Sequence, residues 1–282
     1  MPSDTPSGTL PAPRLKAPAG ACDTHMHFYH GRYPSAPTAL FTPPDAWIED
    51  YKAVQARLGL ERVVVVQPTT YGLDNAAQLE AMAALGATAR GVMVVDAATP
   101  EAELERLSGL GVCGARFFML PGGAVPWDIM EDVAARVHPF GWHIQLQMNG
   151  RELPDHAALL RRLPCGLVVD HVGRFMPPVG LDDPSFKTLL GLLETGRCWI
   201  KLSAPYESSR TGAPDFLDVR PLARALVEAA PERMLWASNW PHPNQDPALD
   251  NAIALDLLLE WVDDEALRTR ILVDNPARLY GF

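Results

Sequence analysis

The sequence predicts an α/β protein folded as a single (β/α)8 TIM barrel, and three observations lead to this prediction. Eight short apolar runs of strand length alternate with stretches of helical pattern. The chain has 282 residues, and this barrel typically takes about 250. A doubly wound open sheet is the alternative, but the Gly-rich phosphate-binding turn that usually follows its first strand is absent from this sequence.

The predicted strands follow Gly, Arg, Pro or Cys residues, and several are apolar nearly throughout. Residues 63–66 and 92–95 are examples, and such runs are typical of parallel strands covered on both faces. The eight predicted strands are residues 21–28, 62–68, 91–96, 114–120, 143–148, 167–172, 199–203 and 234–239.

Capping residues and glycines predict the intervening helices. Asp45 follows two prolines at one predicted start, and Gly59 and Gly86 follow two predicted ends. The predicted helices are residues 43–58, 74–85, 99–109, 127–140, 153–163, 183–195, 217–229 and 247–261, with a further helix at 264–272.

Composition indicates a globular chain and disfavours two classes of partner. Apolar residues make up 48% of the chain, charged residues 21%, and the formal net charge is −10. An acidic chain without a basic run disfavours a nucleic acid or an anionic membrane as partner. No apolar stretch approaches the about 20 residues of a membrane span. We therefore expect neither a nucleic-acid nor a membrane partner, and a homo-oligomer stays open.

The cysteines and the first residues indicate location and domain boundaries. Cys22, Cys113, Cys165 and Cys198 match neither a zinc ribbon nor a redox pair, so we expect free thiols and a cytoplasmic location. Residues 1–19 contain five prolines and no signal-peptide apolar core. We expect a flexible Pro-rich tail over 1–19 and the barrel domain over 20–282.

The first strand contains His25 and His27 within the stretch ACDTHMHF. Residues two apart point to the same face of a strand, so the two imidazoles should lie side by side. Burying two polar rings costs free energy unless each has a partner. The pair therefore predicts a functional site, although two core histidines that alternate by chance are the plainer alternative.

Polar residues gather at the predicted carboxyl ends of the strands, where the active site of such a barrel lies. Asp170 and His171 end the sixth strand, and Asn239 ends the eighth. The others are Gln67 on the second strand, Arg116 on the fourth, Gln145, Gln147 and Asn149 on the fifth, Lys201, Ser203, Tyr206, Glu207 and Arg210 on or after the seventh, and His242 after the eighth.

With its His-x-His first strand, Asp-His on the sixth and Trp-Ala-Ser-Asn-Trp-Pro-His on the eighth, the chain resembles the amidohydrolase superfamily. It is most similar to the branch that acts on lactones. The segments GARFFMLPGGAV, DHVGR, YESSR and NWPH resemble the galactarolactone isomerases within that branch. This resemblance implies an enzyme of sugar acid catabolism acting on the lactone of a sugar diacid.

Two departures from the family pattern bear on the reaction. Hydrolytic members carry an Asp on the eighth strand that takes a proton from water, and this chain has Asn239 there. An amide is not a general base. In the other direction, the chain keeps His25, which the galactarolactone isomerase pattern lacks.

For the histidines, a bound metal is a less favoured interpretation than a metal-free site. His25, His27 and His171 would form a three-histidine zinc site. However, Asn239 removes an anionic ligand and Arg116 is a cation, and the lactone branch works without metal. We therefore expect no cofactor, and we interpret His143, four residues before Gln147 on the fifth strand, as structural.

The remaining polar residues predict an anionic substrate. Arginine binds carboxylate through two parallel hydrogen bonds, so Arg116, Arg174 and Arg210 are candidate carboxylate ligands. Gln67, Gln147 and Tyr206 suit the hydroxyls of a sugar acid, and His242 completes the predicted substrate-binding set.

The predicted reaction is isomerisation of a 1,5- to a 1,4-lactone, in which a hydroxyl of the substrate attacks its own lactone carbonyl. His171 is the predicted proton shuttle, His25 and His27 polarise the carbonyl, and Asn239 orients the hydroxyl. Hydrolysis of 2-pyrone-4,6-dicarboxylate or a sugar lactone is one alternative, and a non-catalytic binding barrel is another.

Overall fold

Eight parallel strands pair in chain order from β1 to β8 in the computed structural model, which describes residues 11–245 and 247–282. The strands are β1 Cys22–Met26, β2 Arg62–Val66, β3 Ala89–Met93, β4 Val112–Phe118, β5 His143–Gln147, β6 Leu167–Val169, β7 Cys198–Leu202 and β8 Met234–Trp236. All eight predicted strands are present, and the predicted single (β/α)8 barrel is confirmed.

Helices follow the strands and cover the outside of the barrel. They are α1 Ile48–Leu58, α2 Ala76–Leu85, α3 Glu101–Gly109, α4 Met130–Val137, α5 Leu153–Arg162, α6 Pro184–Leu193, α7 Arg220–Ala229, α8 Asn251–Trp261, α9 Glu265–Thr269 and α10 Asn275–Tyr280. No described helix is long and apolar enough to cross a membrane.

Most helix boundaries shift by a few residues from the prediction, and two of these shifts have a visible cause in the backbone. Helix α1 begins at Ile48 rather than at residue 43, because Ala46 instead exchanges backbone hydrogen bonds with Tyr29 (3.0 and 2.9 Å). The helix predicted over 264–272 ends as an α-helix at Thr269, and a π-helical turn, Arg270–Asp274, joins it to α10.

The first and last strands meet at a seam that side chains reinforce. Asn239 donates its backbone N–H to the His25 carbonyl (2.9 Å), and His27 donates its own to Trp240 (2.8 Å). The buried carboxylate of Asp23 accepts from the backbone N–H of Ser238 (3.0 Å) and from the Ser238 hydroxyl. These bonds close the barrel across residues more than two hundred positions apart in sequence.

Apolar side chains fill the barrel interior at its lower end, where the strands begin. This lower cluster consists of Cys22, Val64, Val66, Val92, Val168, Trp199, Leu235 and Tyr280. His143 packs edge-on against Tyr280, with ring centroids 5.5 Å apart. A Cβ atom on Gly114 of the neighbouring strand would lie only 2.7 Å from His143 Nε2, so glycine leaves the space that this ring occupies.

The segment before β1 is partly described. Residues 1–10 of the predicted tail lie outside the described residues. In the part that follows, Leu15 is buried and its backbone N–H donates to Asp256 on α8 (2.8 Å). The predicted domain boundary at residue 20 stays a prediction.

Candidate active site

A register shift in β1 turns the histidine pair into the barrel. Pairing with β2 shifts between Asp23 and Met26, and a bulge of this kind changes which side chains face inward. Cys22, at an even-numbered position, belongs to the interior lower cluster, so strict alternation would turn the odd-numbered residues outward. His25 and His27 are odd-numbered, yet they face each other with 3.1 Å between their Nε2 atoms. The predicted side-by-side arrangement of the two imidazoles is therefore present.

Hydrogen bonds define the protonation of this pair. His27 Nδ1 lies 2.8 Å from the Val66 carbonyl oxygen, which only accepts, so Nδ1 carries the proton. Burial, aided by the Arg116 charge, lowers the pKa of His27 to about 3. At neutral pH its Nε2 is therefore an acceptor. His25 must donate from Nε2, which leaves a lone pair on its Nδ1.

A buried polar layer lies around His25 Nδ1. Lys201 Nζ is 2.6 Å from Gln145 Oε1, 3.3 Å from His25 Nδ1 and 3.5 Å from Asp170 Oδ1. The three N–H groups of an ammonium thus have three acceptors. Gln145 donates to the other Asp170 oxygen (3.1 Å). Burial lowers the pKa of Lys201 to about 8.

Above this layer, at the carboxyl ends of the strands, a pocket opens to solvent. Residues from strands and loops all around the barrel line it. They are His27, Tyr29, Phe41, Pro68, Thr69, Arg116, Phe118, Gln147, His171, Arg174, Glu207, Asn239, Pro243 and Asn244.

Arg116 is the most buried cation that lines the pocket, with 4% exposure. It donates to the Gln67 carbonyl (2.6 Å) and to Gln147 Oε1 (2.8 Å). Both partners are neutral, and its Nε has no hydrogen-bond partner among the described residues. Burial lowers the pKa of Arg116, and arginine nevertheless stays charged in proteins. The site therefore holds a buried positive charge suited to an anion.

Arg174 differs from Arg116 because it already has a carboxylate partner. Its Nε donates to Glu207 Oε2 (2.8 Å), and Nη2 lies 2.8 Å from the same oxygen. Both side chains line the pocket and are mostly buried. Sequence reasoning placed Glu207 after the seventh strand but gave it no role.

His171 faces the pocket from a loop in left-handed conformation. His171, Val172 and Arg174 all have positive φ, as does Gly173 between them. His171 Nδ1 lies 2.9 Å from Ser203 Oγ, and burial lowers the pKa of His171 well below its ordinary value. The imidazole is therefore neutral at pH 7.

The Asn239 amide is held from behind by a short relay. Its Nδ2 donates to the Tyr206 hydroxyl (2.8 Å), which lies 3.0 Å from His242 Nδ1. His242 Nε2 in turn lies 3.0 Å from Asn251 Oδ1. This chain of bonds fixes the orientation of the amide and leaves Asn239 Oδ1 without a partner among the described residues.

Several predicted residues lie outside the pocket. Arg210 is exposed on the loop after β7, where its backbone N–H donates to Asp218 (2.7 Å). The Gln67 side chain turns away and donates to the carbonyls of Gly72 (3.0 Å) and Asp74 (2.8 Å). Tyr206 and His242 stand behind Asn239, and His25 lies beneath His27.

Sequence reasoning missed Tyr29, Phe41, Phe118 and Asn244, which also line the pocket. Tyr29 alternates with His25 and His27 along the chain, and this spacing was the one available signal. Phe41 and Asn244 lie on loops without a sequence pattern that indicates where they fold.

The donors present suit a divalent cation poorly. Among the described residues, His25, Asp170 and His171 each offer a ligand atom within 4.8 Å of the others. Lys201 Nζ lies 3.3 Å from the first of these residues and 3.5 Å from the second. An ammonium at that distance uses the lone pairs that a metal requires and repels its charge.

Comparison with known proteins identifies the family. The amidohydrolase family model matches residues 22–282. The chain belongs to the amidohydrolase family. The resemblance inferred from the strand-end motifs is thereby confirmed.

Individual relatives share nearly the full length of the chain. A D-galactarolactone isomerase of Agrobacterium fabrum is 38% identical over 97% of this chain and 94% of its own. A 2-pyrone-4,6-dicarboxylate hydrolase of Comamonas testosteroni is 36% identical over 95% and 92%. An apo crystal structure of an Agrobacterium tumefaciens protein, 38% identical, covers 96% of this chain and 99% of its own, with a TM-score of 0.92.

Proposed function

We propose that this protein is a lactone isomerase that converts the 1,5-lactone of a sugar diacid, D-galactarate, into the 1,4-lactone. Its family and the names of its relatives support an enzyme that acts on lactones. The observation that favours isomerisation over hydrolysis is that the pocket lacks an available carboxylate base. Among the described residues that line it, Glu207 is the one carboxylate, and it is paired with Arg174.

Arg116 supports an anionic substrate. A buried guanidinium with neutral partners gains two charge-assisted hydrogen bonds when a carboxylate binds. The lactone of a sugar diacid retains one free carboxylate, which would lie against Arg116 and beside Gln147. This contact would orient the ring so that the lactone carbonyl lies toward His27 and His171.

The reaction needs no water. The substrate hydroxyl at C4 attacks the C1 carbonyl, a C1–O4 bond forms, and the C1–O5 bond breaks. The proton of the attacking hydroxyl passes through His171 to the departing O5. His171 suits this role when its Nδ1–H donates to Ser203, because Nε2 then presents a lone pair.

Neighbouring groups would orient the attacking hydroxyl and stabilise the oxyanion. Asn239 Oδ1, fixed by Tyr206, would accept a hydrogen bond from the attacking hydroxyl without removing its proton. The Arg116 charge would stabilise the oxyanion. The polarising role predicted for His25 and His27 has no free N–H to support it, since His27 Nδ1 is bonded to Val66 and His27 Nε2 accepts from His25. Holding the hydroxyl against the carbonyl contributes most, since intramolecular attack reaches high effective concentrations.

Metal independence is part of the proposal. Lys201 occupies the lone pairs of His25 Nδ1 and Asp170 Oδ1, so no step is assigned to a metal. A cytosolic location is also part of it, since all four cysteines are free thiols and reducing compartments keep thiols free.

Hydrolysis is the second candidate, because a relative of similar identity carries a hydrolase name. Proton NMR of the enzyme with D-galactaro-1,5-lactone separates the two reactions. We expect the 1,4-lactone to accumulate faster than in buffer. Open galactarate as the enzymatic product would overturn the isomerase proposal in favour of a lactonase.

Substitution of Asn239 tests the role of the neutral amide. We expect Asn239→Asp to add open galactarate to the products, since a carboxylate at this position can activate water. Asn239→Ala is the matched control, because it removes the amide without adding a base. It should slow isomerisation and give no galactarate above the buffer rate. An unchanged product mixture with Asn239→Asp would contradict this role.

A further inference from the structure

The charges that line the pocket do not balance. Among the described lining residues there are two cations, Arg116 and Arg174, and one carboxylate, Glu207. The buried Lys201 and Asp170 beneath them are paired with each other. Arg174 and Glu207 form the other pair. The pocket is therefore left with one uncompensated positive charge, that of Arg116.

Arg174 and Glu207 are close enough and buried enough for their charges to cancel. Glu207 Oε2 accepts a hydrogen bond from Arg174 Nε (2.8 Å), and Arg174 Nη2 lies 2.8 Å from the same oxygen. The side chains are only 13% and 17% exposed, so water screens their charges weakly. Both residues line the cavity, so a second anionic group that approached Arg174 would also meet Glu207.

We infer that Glu207 is a specificity-determining residue, which cancels the charge of Arg174 and restricts the site to lactones with a single anionic group. This inference rests on the proposed function and narrows its substrate class. A lactone of a sugar diacid carries one carboxylate, whereas a pyrone dicarboxylate carries two. The second carboxylate of a dianion would meet the like charge of Glu207 and would have to displace it from Arg174.

Equilibrium binding of two non-reactive ligands tests the inference. Isophthalate is planar and carries two carboxylates in 1,3 relation, as in 2-pyrone-4,6-dicarboxylate. Its matched partner, 3-carbamoylbenzoate, has nearly the same shape and one carboxylate. The measured quantity is the ratio of Kd for the dianion to Kd for the monoanion, from calorimetric or NMR titration at pH 7.5.

The variants are expected to move this ratio in opposite directions. Glu207→Gln leaves Arg174 without its counter-charge, and the ratio should fall by about tenfold or more, which is the effect of about 1.4 kcal/mol. Arg174→Met leaves Glu207 unpaired, and the ratio should rise. The double variant Arg174→Met/Glu207→Gln removes both charges, and the ratio should return to within about threefold of the wild-type value.

An unchanged ratio in Glu207→Gln, or an equal change in Kd for both ligands, would overturn the inference. If Glu207→Gln does not fold, as judged by circular dichroism, a ratio in Arg174→Met that fails to rise would overturn it as well. Neither ligand contains a lactone, so the ratio is independent of turnover. A failed isomerase assay would remove the proposed reaction without altering this result.

Discussion

The two ends of the barrel bury the same kinds of side chain in opposite ways. At the lower end, His143 lies against Tyr280 among apolar residues, and its Nε2 has no partner among the described residues. At the pocket end, His27 has a partner on each nitrogen. Both rings are neutral, since burial lowers the pKa of each to about 3. Burial and a shifted pKa therefore do not by themselves mark a catalytic histidine, whereas position along the strand and hydrogen-bond partners do.

The largest expected difference between the two ends concerns activity. Arg116→Met should lower kcat/KM for the lactone by about 10³-fold, through both KM and kcat, because it removes the buried positive charge that would bind the carboxylate and stabilise the oxyanion. Steady-state kinetics measures the loss. His143→Leu at the lower end is the control and should stay within about threefold of wild type. Comparable losses in the two variants would erase the proposed distinction.

A substitution at the lower end should affect stability more than it affects activity. Tyr280→Ala removes a buried ring from the lower cluster and should reduce the free energy of unfolding by about 3 to 5 kcal/mol. Denaturant titration measures this loss. The kcat of the folded fraction should be unchanged, since Tyr280 does not line the pocket. A matching fall in kcat would show that the two ends are coupled.

The sequence predicted the strands better than the site. Parallel strands buried on both faces form apolar runs, and runs such as residues 63–66 are readable without an alignment. The inward direction of His25 depends on the register shift after Asp23, which no sequence pattern indicates. Contacts between Lys201, Gln145 and Asp170 depend on the relative register of three strands.

Loops limited the rest of the site prediction. Arg210 was expected near Arg116 and Arg174, yet the turn between β7 and α7 leaves it exposed, with its backbone bound to Asp218. The left-handed backbone at His171 and Asn239 aims both side chains. Such conformations are uncommon for residues other than glycine, so their side-chain directions were not predictable.

Acidification should destabilise both ends to a similar extent. Histidine titrates near 6.5 when unfolded and at about 3 at positions 27 and 143 in the folded protein. Between these values the unfolded state binds more protons, so stability falls as the pH drops. Each histidine should cost about 2 kcal/mol by pH 5. The difference in Tm between pH 7 and pH 5 should be smaller in His143→Leu than in wild type, and an equal difference would contradict this account.

The smallest expected effect is that of metal removal. Dialysis against a chelator, followed by assay with and without added zinc, should change kcat/KM by less than about twofold, because Lys201 holds the lone pairs that a metal would use. Metal analysis of the dialysed enzyme is the control. Loss of activity on dialysis and its recovery with zinc would contradict metal independence and reassign the histidines.

The seam between β1 and β8 has a consequence for folding. Asp23 is bonded to Ser238, and His25 accepts from the backbone of Asn239, so the candidate catalytic groups of both strands take their positions through the same set of contacts. Contacts of such long sequence separation are entropically costly to form. During refolding, recovery of enzymatic activity should therefore lag behind recovery of the helical circular dichroism signal. The activity assay would then report the formation of the contacts between β1 and β8.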